Sequence, residues 1–358
     1  MSKNLFLAAT ATAALISTSA LANSNTVVLN QNGVDNVSLA NQVGTGNTAD
    51  AINQTGDRNS STLDQIGDNN FFSTGSYAQD GNDNIQTTYQ EGSDNSSIVF
   101  QVGDLNEAYV NQLGDGNEST IDQGFQYGAP TVNGSGNYSN VDQQGNENTN
   151  FIDQHGDDNE TYVEQIGDEN YNDAHSDGHN ITVDVVQVGN GNFNDIYSST
   201  YTNNNNSFDI NQDGNDHSSD TRSDGDFNTV IVDQFGGNNN ESDIDQDGND
   251  NLANVSQNGS DNESDLLDQT GNNNSYDVSQ IGNGHESIGS SIGNDNSIMI
   301  SQYNGNDNFS SALQTGDFNQ VTLTQDGSLN VSYVTQTGNN NIFTGSQVGS
   351  GNSSTVTQ

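Results

Sequence analysis

Carboxylates are the side chains of this sequence with the widest chemical range, and 49 Asp and Glu residues are present. Acid–base catalysis needs such groups held together in a concave site with shifted pKa values. Here the acids are spread along the chain at positions predicted to be exposed. The sequence also contains no nucleophile elbow and no phosphate-binding loop. We therefore predict that the chain is not an enzyme, with no catalytic residue and no cofactor.

One small group of side chains has the spacing of metal ligands. His175 and His179 lie close in sequence to Asp173 and Asp177, and imidazole and carboxylate are both common zinc ligands. A polar loop accounts for these four residues equally well, because the surrounding segment is rich in polar residues. We expect no specific metal site.

Amide side chains follow a regular pattern. The motif Gln-x-Gly-x-x-Asn occurs 20 times, and most neighbouring copies start 11 or 12 residues apart. Repetition at a constant short period is typical of stacked repeat architectures. The copies begin at Gln31, Gln42, Gln54, Gln65, Gln79, Gln90, Gln101, Gln112, Gln143, Gln154, Gln165, Gln187, Gln234, Gln246, Gln257, Gln269, Gln314, Gln325, Gln336 and Gln347. Incomplete copies have His217 or His285 in place of the Asn, Ser223 or Ser291 in place of the Gln, or one additional residue after Gln302.

The residues before each Gln predict a β-strand. In 18 of the 20 copies the residue two positions before the Gln is apolar, as at Ile52, Tyr77 and Leu267. The residue between them is polar in 15 copies, as at Asp64 and Asp245. This alternation is typical of a strand with one buried face. It places the Gln on the buried face, together with the apolar residue and with the second residue after the Asn, which is often small.

The remaining motif positions predict a tight turn. Glycine adopts positive φ without steric cost, and asparagine tolerates it better than most residues. Representative turn residues are Gly33, Asn36, Gly67, Asn70, Gly338 and Asn341. One strand and one turn per unit, with two units per coil, predict an all-β solenoid of about 30 short strands in a cross-β stack. The stretches 123–140, 171–186 and 193–211 match the motif poorly, and we expect irregular rungs there.

Amide chemistry explains how so polar a chain could order. Only 28% of the residues are hydrophobic and no Trp is present, which is too little apolar surface to offset chain entropy in an ordinary core. A buried amide is costly unless its hydrogen bonds are satisfied. When an identical amide lies in the next rung, the NH₂ of one side chain can donate to the carbonyl oxygen of the other. We therefore predict that Gln31 and its equivalents form continuous columns.

The N-terminal segment resembles an export signal. Lys3 precedes an apolar stretch, and Ala20-Leu21-Ala22 fits a small-x-small cleavage site. We predict a signal peptide at residues 1–22 and one repeat domain at residues 23–358. No later segment has the roughly 18 apolar residues that a membrane helix needs, so we expect no membrane insertion.

The charge of the chain argues against two classes of partner. The formal net charge at pH 7 is −46, and Arg58 and Arg222 are the only Arg or Lys residues after the predicted leader. Such a surface repels nucleic acids and anionic membranes. The chain also has no cysteine, so a disulfide cannot stabilise it.

The repeat unit, with a small inward residue after the Asn and the next Gln at a constant spacing, resembles the curlin repeat. This repeat marks the subunits of curli, the functional amyloid of bacterial biofilms. The resemblance covers nearly the whole chain from about Val27 to Gln358. It implies a secreted subunit of a pilus-like surface fibre that serves matrix cohesion and adhesion. Implied partners are further copies of the chain, a nucleator subunit and an outer-membrane secretion machinery.

The sequence departs from the family pattern in two respects. It has many more repeats than the familiar short subunits, and its first strand is predicted at about Val27, where family members usually carry a Gly/Asn-rich export segment. The residues also leave open a second function, a monomeric calcium- or ice-binding solenoid in an adhesin. The G-G-x-G-x-D nonapeptide of calcium β-rolls is absent, and threonines form no regular column.

Two further expectations concern association. The segment 331–358 contains no Asp, Glu, Lys or Arg, and we expect it to be a docking or nucleating end. Asp245 and Asp268 each precede a motif Gln, one coil apart, and like charges about 5 Å apart repel by about 1 kcal/mol in water. We expect such repulsion to slow stacking, so that salt, divalent cations or mild acid speed it.

Overall fold

The computed structural model describes residues 24–75, 79–124, 134–198 and 205–358, together with the backbone of residues 15–16. Tyr77 and the side chains of the predicted signal peptide at 1–22 lie outside this description. All regular elements in the described residues are β-strands, so the all-β prediction is confirmed. None of these residues forms a helix with the length and apolar character of a membrane span.

Most of the strands are seven to ten residues long, as one strand per motif requires. In chain order they are β1 (Leu15–Ile16), β2 (Thr26–Asn32), β3 (Val37–Val43), β4 (Thr48–Thr55), β5 (Ser60–Asp68), β6 (Phe71–Ser73), β7 (Gln79–Asp80), β8 (Ile85–Ser93), β9 (Ser96–Val102), β10 (Glu107–Leu113), β11 (Glu118–Gln123), β12 (Tyr138–Gln144), β13 (Thr149–His155), β14 (Glu160–Ile166), β15 (Tyr171–Asp177), β16 (Thr182–Val188), β17 (Phe193–Ser198), β18 (Ser207–Asn215), β19 (Ser218–Asp224), β20 (Thr229–Asn238), β21 (Glu241–Asn249), β22 (Leu252–Asn258), β23 (Glu263–Asn272), β24 (Ser275–Asn283), β25 (Glu286–Ile292), β26 (Ser297–Asn306), β27 (Phe309–Thr315), β28 (Gln320–Asp326), β29 (Val331–Thr337), β30 (Ile342–Val348) and β31 (Ser353–Thr357).

The chain divides into two compact units, Met1–Ile181 and Thr182–Gln358. In unit 1, strands β1, β3, β5, β8, β10, β12 and β14 form sheet A1, and strands β2, β4, β6, β9, β11, β13 and β15 form sheet B1. The short strand β7 pairs with β4 and β9, and so completes the rung that β6 begins. With β6 and β7 counted as one rung, each strand pairs in parallel with the next but one along the chain, which is the topology of a two-sided solenoid.

Unit 2 repeats this arrangement. The even-numbered strands β16 to β30 form sheet A2, and the odd-numbered strands β17 to β31 form sheet B2. Equivalent motif positions lie opposite one another, as Gln234 does with Gln257. Two sheets in which consecutive strands alternate confirm the prediction of two strands per coil.

Alternate side chains of most strands are buried, as in β9, where Ser97, Val99 and Gln101 are fully inaccessible. Sixteen of the 18 apolar residues predicted to face inward are buried. The small residues predicted on the same face, such as Ala108 and Ser119, are buried too. Side chains of period two therefore build a narrow core in each unit from aliphatic, small and amide groups.

Leu267 is the described exception, because 58% of its surface is exposed and Leu266 is buried in its place. The inward prediction for Leu267 is wrong because β23 contains one residue more than its neighbours between Leu266 and Gln269. A bulge accommodates the extra residue without displacing the Gln. In β4 the extra residue is Ala51, which has a φ of 53°, and Ile52 stays buried.

Two residues in each turn have positive φ. The motif glycine is one of them, with φ of 129° at Gly33. The second is the residue before the motif Asn, such as Asp35 at 59° and Leu105 at 62°. The expectation that Asn36 itself occupies a positive-φ corner is wrong, since this residue is buried and its side chain bonds to the next rung.

The segment 171–186, for which we expected an irregular rung, forms regular strands instead. β15 pairs with β13 over seven consecutive residues. Ser176 occupies the Gln position, and Ile181 occupies the Asn position with its N–H donated to Asn159 Oδ1 at 3.0 Å. Residues 125–133 and 199–204 of the other two poorly matching stretches lie outside the described residues.

Candidate functional site

The motif glutamines of unit 1 stack into two columns. In each column Nε2 of one Gln donates to Oε1 of the Gln in the next rung, at 2.6 to 3.0 Å. The column of sheet A1 contains Gln42, Gln65, Gln90, Gln112, Gln143 and Gln165. The column of sheet B1 contains Gln31, Gln54, Gln79, Gln101, Gln123 and Gln154. Each amide thereby supplies a hydrogen-bond partner to its neighbour, which buried polar groups need.

Unit 2 has one continuous column and one interrupted column. That of sheet A2 contains Gln187, Gln212, Gln234, Gln257, Gln280, Gln302, Gln325 and Gln347, bonded at 2.8 to 3.0 Å. In sheet B2, Gln246 donates to Gln269 and Gln314 donates to Gln336. Ser291 lies between these pairs and donates to Gln314 at 3.2 Å. Gln336 donates to Gln358 at 2.8 Å.

The second amide hydrogen of most of these Gln residues donates to the backbone. Gln90 Nε2 donates to the backbone carbonyl of Phe71 at 2.9 Å, and Gln143 Nε2 donates to that of Glu118 at 2.9 Å. Both carbonyls belong to the start of a strand in the other sheet. The Gln side chains therefore join rung to rung and also join one sheet of the coil to the other.

The full motif missed five members of the columns, of which Gln212, Gln280 and Gln302 begin incomplete copies and Gln123 and Gln358 begin none. Gln123 follows Gln112 by one repeat period and has Ile121 two positions before it. Gln358 follows Gln347 by the same period, with Val356 two positions before it. Neither is followed by the Gly and Asn of the motif. The strand half of the repeat alone would have identified both residues.

The motif asparagines form a second set of columns at the turns. Asn36 Oδ1 accepts the backbone N–H of Asn59 at 2.9 Å, and Asn36 Nδ2 donates to the carbonyl of Gly56 at 2.7 Å. The same contacts recur at Asn70, which accepts from Asn95 N–H at 3.1 Å. Near the C-terminus Asn341 N–H donates to Asn319 Oδ1 at 3.0 Å. Each Asn thus supplies the hydrogen bonds that the backbone of a tight corner cannot make within itself.

The motif glycines are required by close approach between rungs as well as by φ. A Cβ atom on Gly33 would lie 1.7 Å from the carbonyl oxygen of Gly56, and one on Gly67 would lie 1.9 Å from that of Gly92. At Gly338, which follows Gly316 in its column and has no equivalent glycine after it among the described residues, the nearest atom to such a Cβ is 3.8 Å away. The glycine requirement therefore arises from the rung that follows.

Two histidines replace asparagine in these turn columns. His217 Nδ1 accepts the N–H of Asn240 at 3.2 Å, and His285 Nδ1 accepts that of Asn308 at 3.3 Å. An accepting Nδ1 requires a neutral ring with its proton on Nε2. Burial lowers the pKa of both histidines, which keeps them in this form.

The outer face of sheet B2 carries a column of carboxylates. Asp220, Asp243 and Asp265 occupy equivalent positions in adjacent strands. Burial, followed by the charges of Glu263 and Asp243, raises the pKa of Asp265 to about 6. Burial and the charge of Asp268 also raise the pKa of Asp245, while Arg222 opposes the shift. Charges of one sign at rung spacing thus oppose the stacking that the amide columns favour.

A cluster of two histidines and two aspartates lies on the outer face of sheet B1. Asp153 and His155 of β13 lie opposite His175 and Asp177 of β15. Burial alone lowers the pKa of His175, but hydrogen bonds to Asp153 and Asp177 outweigh burial and raise it to about 9. The two histidines have the reverse effect on Asp177, whose pKa is lowered despite burial.

The structure does not bring His179 into contact with His175, although the two residues are close in sequence. His179 is 41% exposed and contacts Asp157 at 3.4 Å. The missing partners, Asp153 and His155, lie at the equivalent positions of the coil before. One coil equals two repeats, so the repeat period itself contained the signal.

The comparisons with known proteins agree with this arrangement. The family model of the curlin associated repeat matches residues 92–124, 237–271, 248–282, 271–303, 293–327 and 316–344. No curated protein matches the chain significantly. The matched segments consist of strands and turns that supply the amide columns. The chain is therefore similar to the curlin-repeat family over residues 92–124 and 237–344.

Proposed function

We propose that the chain is secreted after removal of residues 1–22 and self-assembles into extracellular amyloid fibres that support a biofilm matrix and its adhesion to surfaces. The observation that carries this proposal is the chemistry of the first and last rungs. In each unit the columns consist of donor–acceptor pairs that all point the same way along the stack. Such columns have a donor end and an acceptor end that are complementary.

The last rung, formed by β30 and β31, carries the donor ends. Gln347 Nε2 donates to the carbonyl of Val331 at 2.9 Å, and its other hydrogen has no acceptor among the described residues. The side chains of Phe343 and Val356, which follow the inward alternation of their strands, are partly exposed because no described rung covers them. This edge presents unpaired strand backbone, which favours the addition of another strand.

The first complete rung carries the acceptor end. Gln31 donates to Gln54 at 2.6 Å, and no described residue donates to Gln31 Oε1. Donors on unit 2 of one copy therefore complement acceptors on unit 1 of the next copy. A head-to-tail contact of this kind does not close on itself and produces a filament.

The distribution of charge also favours contact between the last rung of one copy and the first rung of the next. The segment 331–358 has no Asp, Glu, Lys or Arg, so its side chains add no repulsion to a chain of net charge −46. Exposed apolar residues also lie here, with Val348 71% and Ile342 65% exposed. Their burial against a second copy would be favourable.

The experiment that tests the proposal uses the purified mature chain, residues 23–358. We expect it to form unbranched fibres that bind amyloid dyes, as seen by electron microscopy and fluorescence, and to do so faster when salt screens its charge. The proposal fails if the chain stays monomeric at every salt concentration and pH. Folding that depends on calcium, or thermal hysteresis without fibres, would favour the alternative calcium- or ice-binding solenoid.

The role of the last rungs can be tested separately. A chain that ends at residue 330 lacks β29 to β31 and exposes an edge closer to the charged part of sheet B2. We expect it to show a longer lag before fibre growth and to be a poor seed for the full chain. An unchanged lag time and fibre yield would exclude the segment 331–358 as the docking end.

Two partners belong to the same proposal. We expect an outer-membrane secretion machinery to export the chain and a second repeat protein to nucleate growth at the cell surface. Both are implied by the resemblance of the repeats to the curlin repeat. Deleting the export machinery from the host should abolish surface fibres while leaving the chain within the cell envelope.

A further inference from the structure

The His–Asp cluster of sheet B1 has a geometry that the amide columns do not require. Asp153 and His155 lie two residues apart on β13, so their side chains leave the same face of the strand. His175 and Asp177 have the same relationship on β15, with Asp153 opposite His175 and His155 opposite Asp177. Each histidine is thereby in contact with both aspartates.

One side of this cluster converges on Asp153. His155 Nε2 lies 2.9 Å from Asp153 Oδ1, and His175 Nδ1 lies 3.3 Å from Asp153 Oδ2. One ligand atom from each of these three residues lies within 4.8 Å of the others. In a tetrahedral zinc site with bonds of about 2.0–2.1 Å, neighbouring ligand atoms are about 3.3 Å apart. The three side chains are therefore close to the separation that one metal ion imposes.

The other side of the cluster orients the rings. His155 Nδ1 lies 2.7 Å from Asp177 Oδ1, and His175 Nε2 lies 3.1 Å from Asp177 Oδ2. Asp177 thus contacts the ring nitrogen of each histidine that points away from Asp153. Histidines that bind metals usually donate this second N–H to a carboxylate, which fixes the tautomer and the ring orientation. A single buried carboxylate performs this function for both rings here.

The exposed fraction of the side chains increases from the Asp177 side of the cluster to the Asp153 side. The side chains of His155 and Asp177 are 5% and 8% exposed, whereas that of Asp153 is 34% exposed. Asp153 Oδ1 is nevertheless buried, and no hydrogen bond of good geometry reaches it from the described residues. The carboxylate side of the cluster is therefore open to solvent, while the orienting side is closed.

We propose that Asp153, His155 and His175 form a site for Zn²⁺, with Asp177 as the carboxylate that positions both imidazoles. Water takes the fourth position on the exposed side. Two imidazole nitrogens and one carboxylate suit zinc, whereas calcium takes six to eight oxygen ligands. Zn²⁺ binding requires a neutral imidazole with a free lone pair on each coordinating nitrogen, so any proton on those nitrogens is released to solvent.

The site would join adjacent coils, because β13 supplies two ligands and β15 supplies the third. The ligands come together only when the two strands are in register, so the ion binds the folded stack and not the unfolded chain. Zn²⁺ should therefore stabilise unit 1 by an amount that rises with the logarithm of its concentration above the dissociation constant. The proposal is independent of fibre formation, since all the ligands lie within one copy.

The test is a calorimetric titration of the purified full chain with Zn²⁺, in about 0.15 M salt and excess Mg²⁺ to occupy the acidic surface. We expect one tight site per chain, and Co²⁺ in its place should give the visible absorption of a four-coordinate ion. His155→Ala and His175→Ala should each weaken the site by at least tenfold. Asp177→Asn should weaken it by about 10- to 100-fold while leaving one ion per chain.

His179→Ala is the matched control, because His179 is exposed and outside the cluster, and it should leave the titration unchanged. If the histidine variants fail to fold by circular dichroism, Asp153→Asn decides, because it preserves the shape of the ligand and should cause the same loss of affinity. The proposal is overturned if Zn²⁺ binds no more tightly than Mg²⁺. It is also overturned if variants that fold bind Zn²⁺ as the unmodified chain does.

Discussion

At the scale of single residues, each buried amide depends on its neighbours in the column. Gln143 accepts from Gln112 at 2.9 Å and donates to Gln165 at 2.8 Å, and it also bonds to the backbone of Glu118 at 2.9 Å. An apolar residue here would leave Gln112 without its acceptor and Gln165 without its donor. The free-energy cost of a substitution in the column thus comes from the polar groups that it leaves without hydrogen-bond partners.

Two single substitutions at adjacent residues measure this free-energy cost. Gln143→Leu should lower the free energy of unfolding by about 1–3 kcal/mol, the cost of buried polar groups left without partners. Gln144→Leu is the control, because Gln144 faces outward and is half-buried, and it should change stability by no more than about 0.5 kcal/mol. Guanidinium denaturation followed by circular dichroism makes the comparison. Equal effects of the two substitutions would contradict the role assigned to the column.

The histidines in the turn columns predict a specific sensitivity to acid. Burial holds the pKa of His285 below its ordinary value of 6.5, so its contribution to stability is complete above about pH 6.5 and is lost as the pH falls. Protonation of Nδ1 would place a hydrogen against the Asn308 N–H. His285→Asn should therefore make the midpoint of denaturation less dependent on pH below 6.5. The reverse change, Asn262→His, should make it more dependent, and unchanged pH profiles would refute this account.

The Gln positions and the apolar positions were predictable from the sequence because both follow the period of two within a strand. The role of the motif Asn was not, because its side chain acts on the following rung, which lies two repeats further along the chain. The bulge that exposes Leu267 was also not predictable. Repeats that differ in length by one residue look alike until the position of the extra residue is known.

At the scale of strands and turns, the motif glycine and the positive-φ residue two positions after it are constrained by different contacts. A Cβ on Gly114 would lie 2.0 Å from the carbonyl oxygen of Gly145 in the next rung. Two residues later, Gly116 has a φ of 70°, and the nearest atom to a Cβ there is 3.4 Å away, on the side chain of Glu147. Equivalent positions elsewhere hold Leu105 with φ of 62°. In this turn, contact with the next rung therefore requires a glycine at Gly114 but not at Gly116.

Alanine substitutions within this turn test the difference. Gly114→Ala should destabilise unit 1 by at least about 2 kcal/mol, since backbone must move to relieve the overlap. Gly116→Ala should cost only about 1 kcal/mol, the strain of a left-handed conformation in a residue with a Cβ. Denaturation midpoints of the two variants provide the measurement. A larger effect at Gly116 than at Gly114 would contradict the assigned stacking of the turns.

The carboxylate column of sheet B2 predicts an opposite response to pH from that of the histidines. The pKa of Asp265 is about 6 in the folded chain against 3.8 for an ordinary Asp, so the folded state binds the proton more readily. Stability should therefore fall as the pH rises from about 3.8 to about 6. Asp265→Asn should remove this part of the dependence and stabilise the chain above pH 6. Asp250→Asn, at an exposed turn position, is the control, and equal pH profiles for the two variants would contradict the prediction.

At the scale of the whole molecule, the chain combines a polar core with a surface that repels itself. The sequence was sufficient to predict an all-β solenoid, because the repeat specifies strand, turn and period in every coil. It did not predict the His–Asp cluster, whose members Asp153 and His175 come from different repeats and meet only through register. Residues within one repeat were thus predictable, while contacts between repeats required the structure.

The same consideration applies to assembly. The columns of unit 2 end in Gln347 and Gln358, and the partner of each would be an identical amide of another copy. The contact between copies should therefore repeat the contact between rungs. A fibre built in this way needs no separate interface. Its rate of growth should depend on salt because the surface charge acts at every addition.

The structure of the assembled fibre, determined by electron cryomicroscopy of the mature chain, tests this central claim most directly. The account predicts strands perpendicular to the fibre axis at an even spacing of about 4.8 Å that continues without a break across the junction between copies. It also predicts that Gln347 and Gln358 of one copy lie within hydrogen-bond distance of glutamines in the first rungs of the next. Copies associated side by side, or a junction with Gln347 and Gln358 facing solvent, would contradict it.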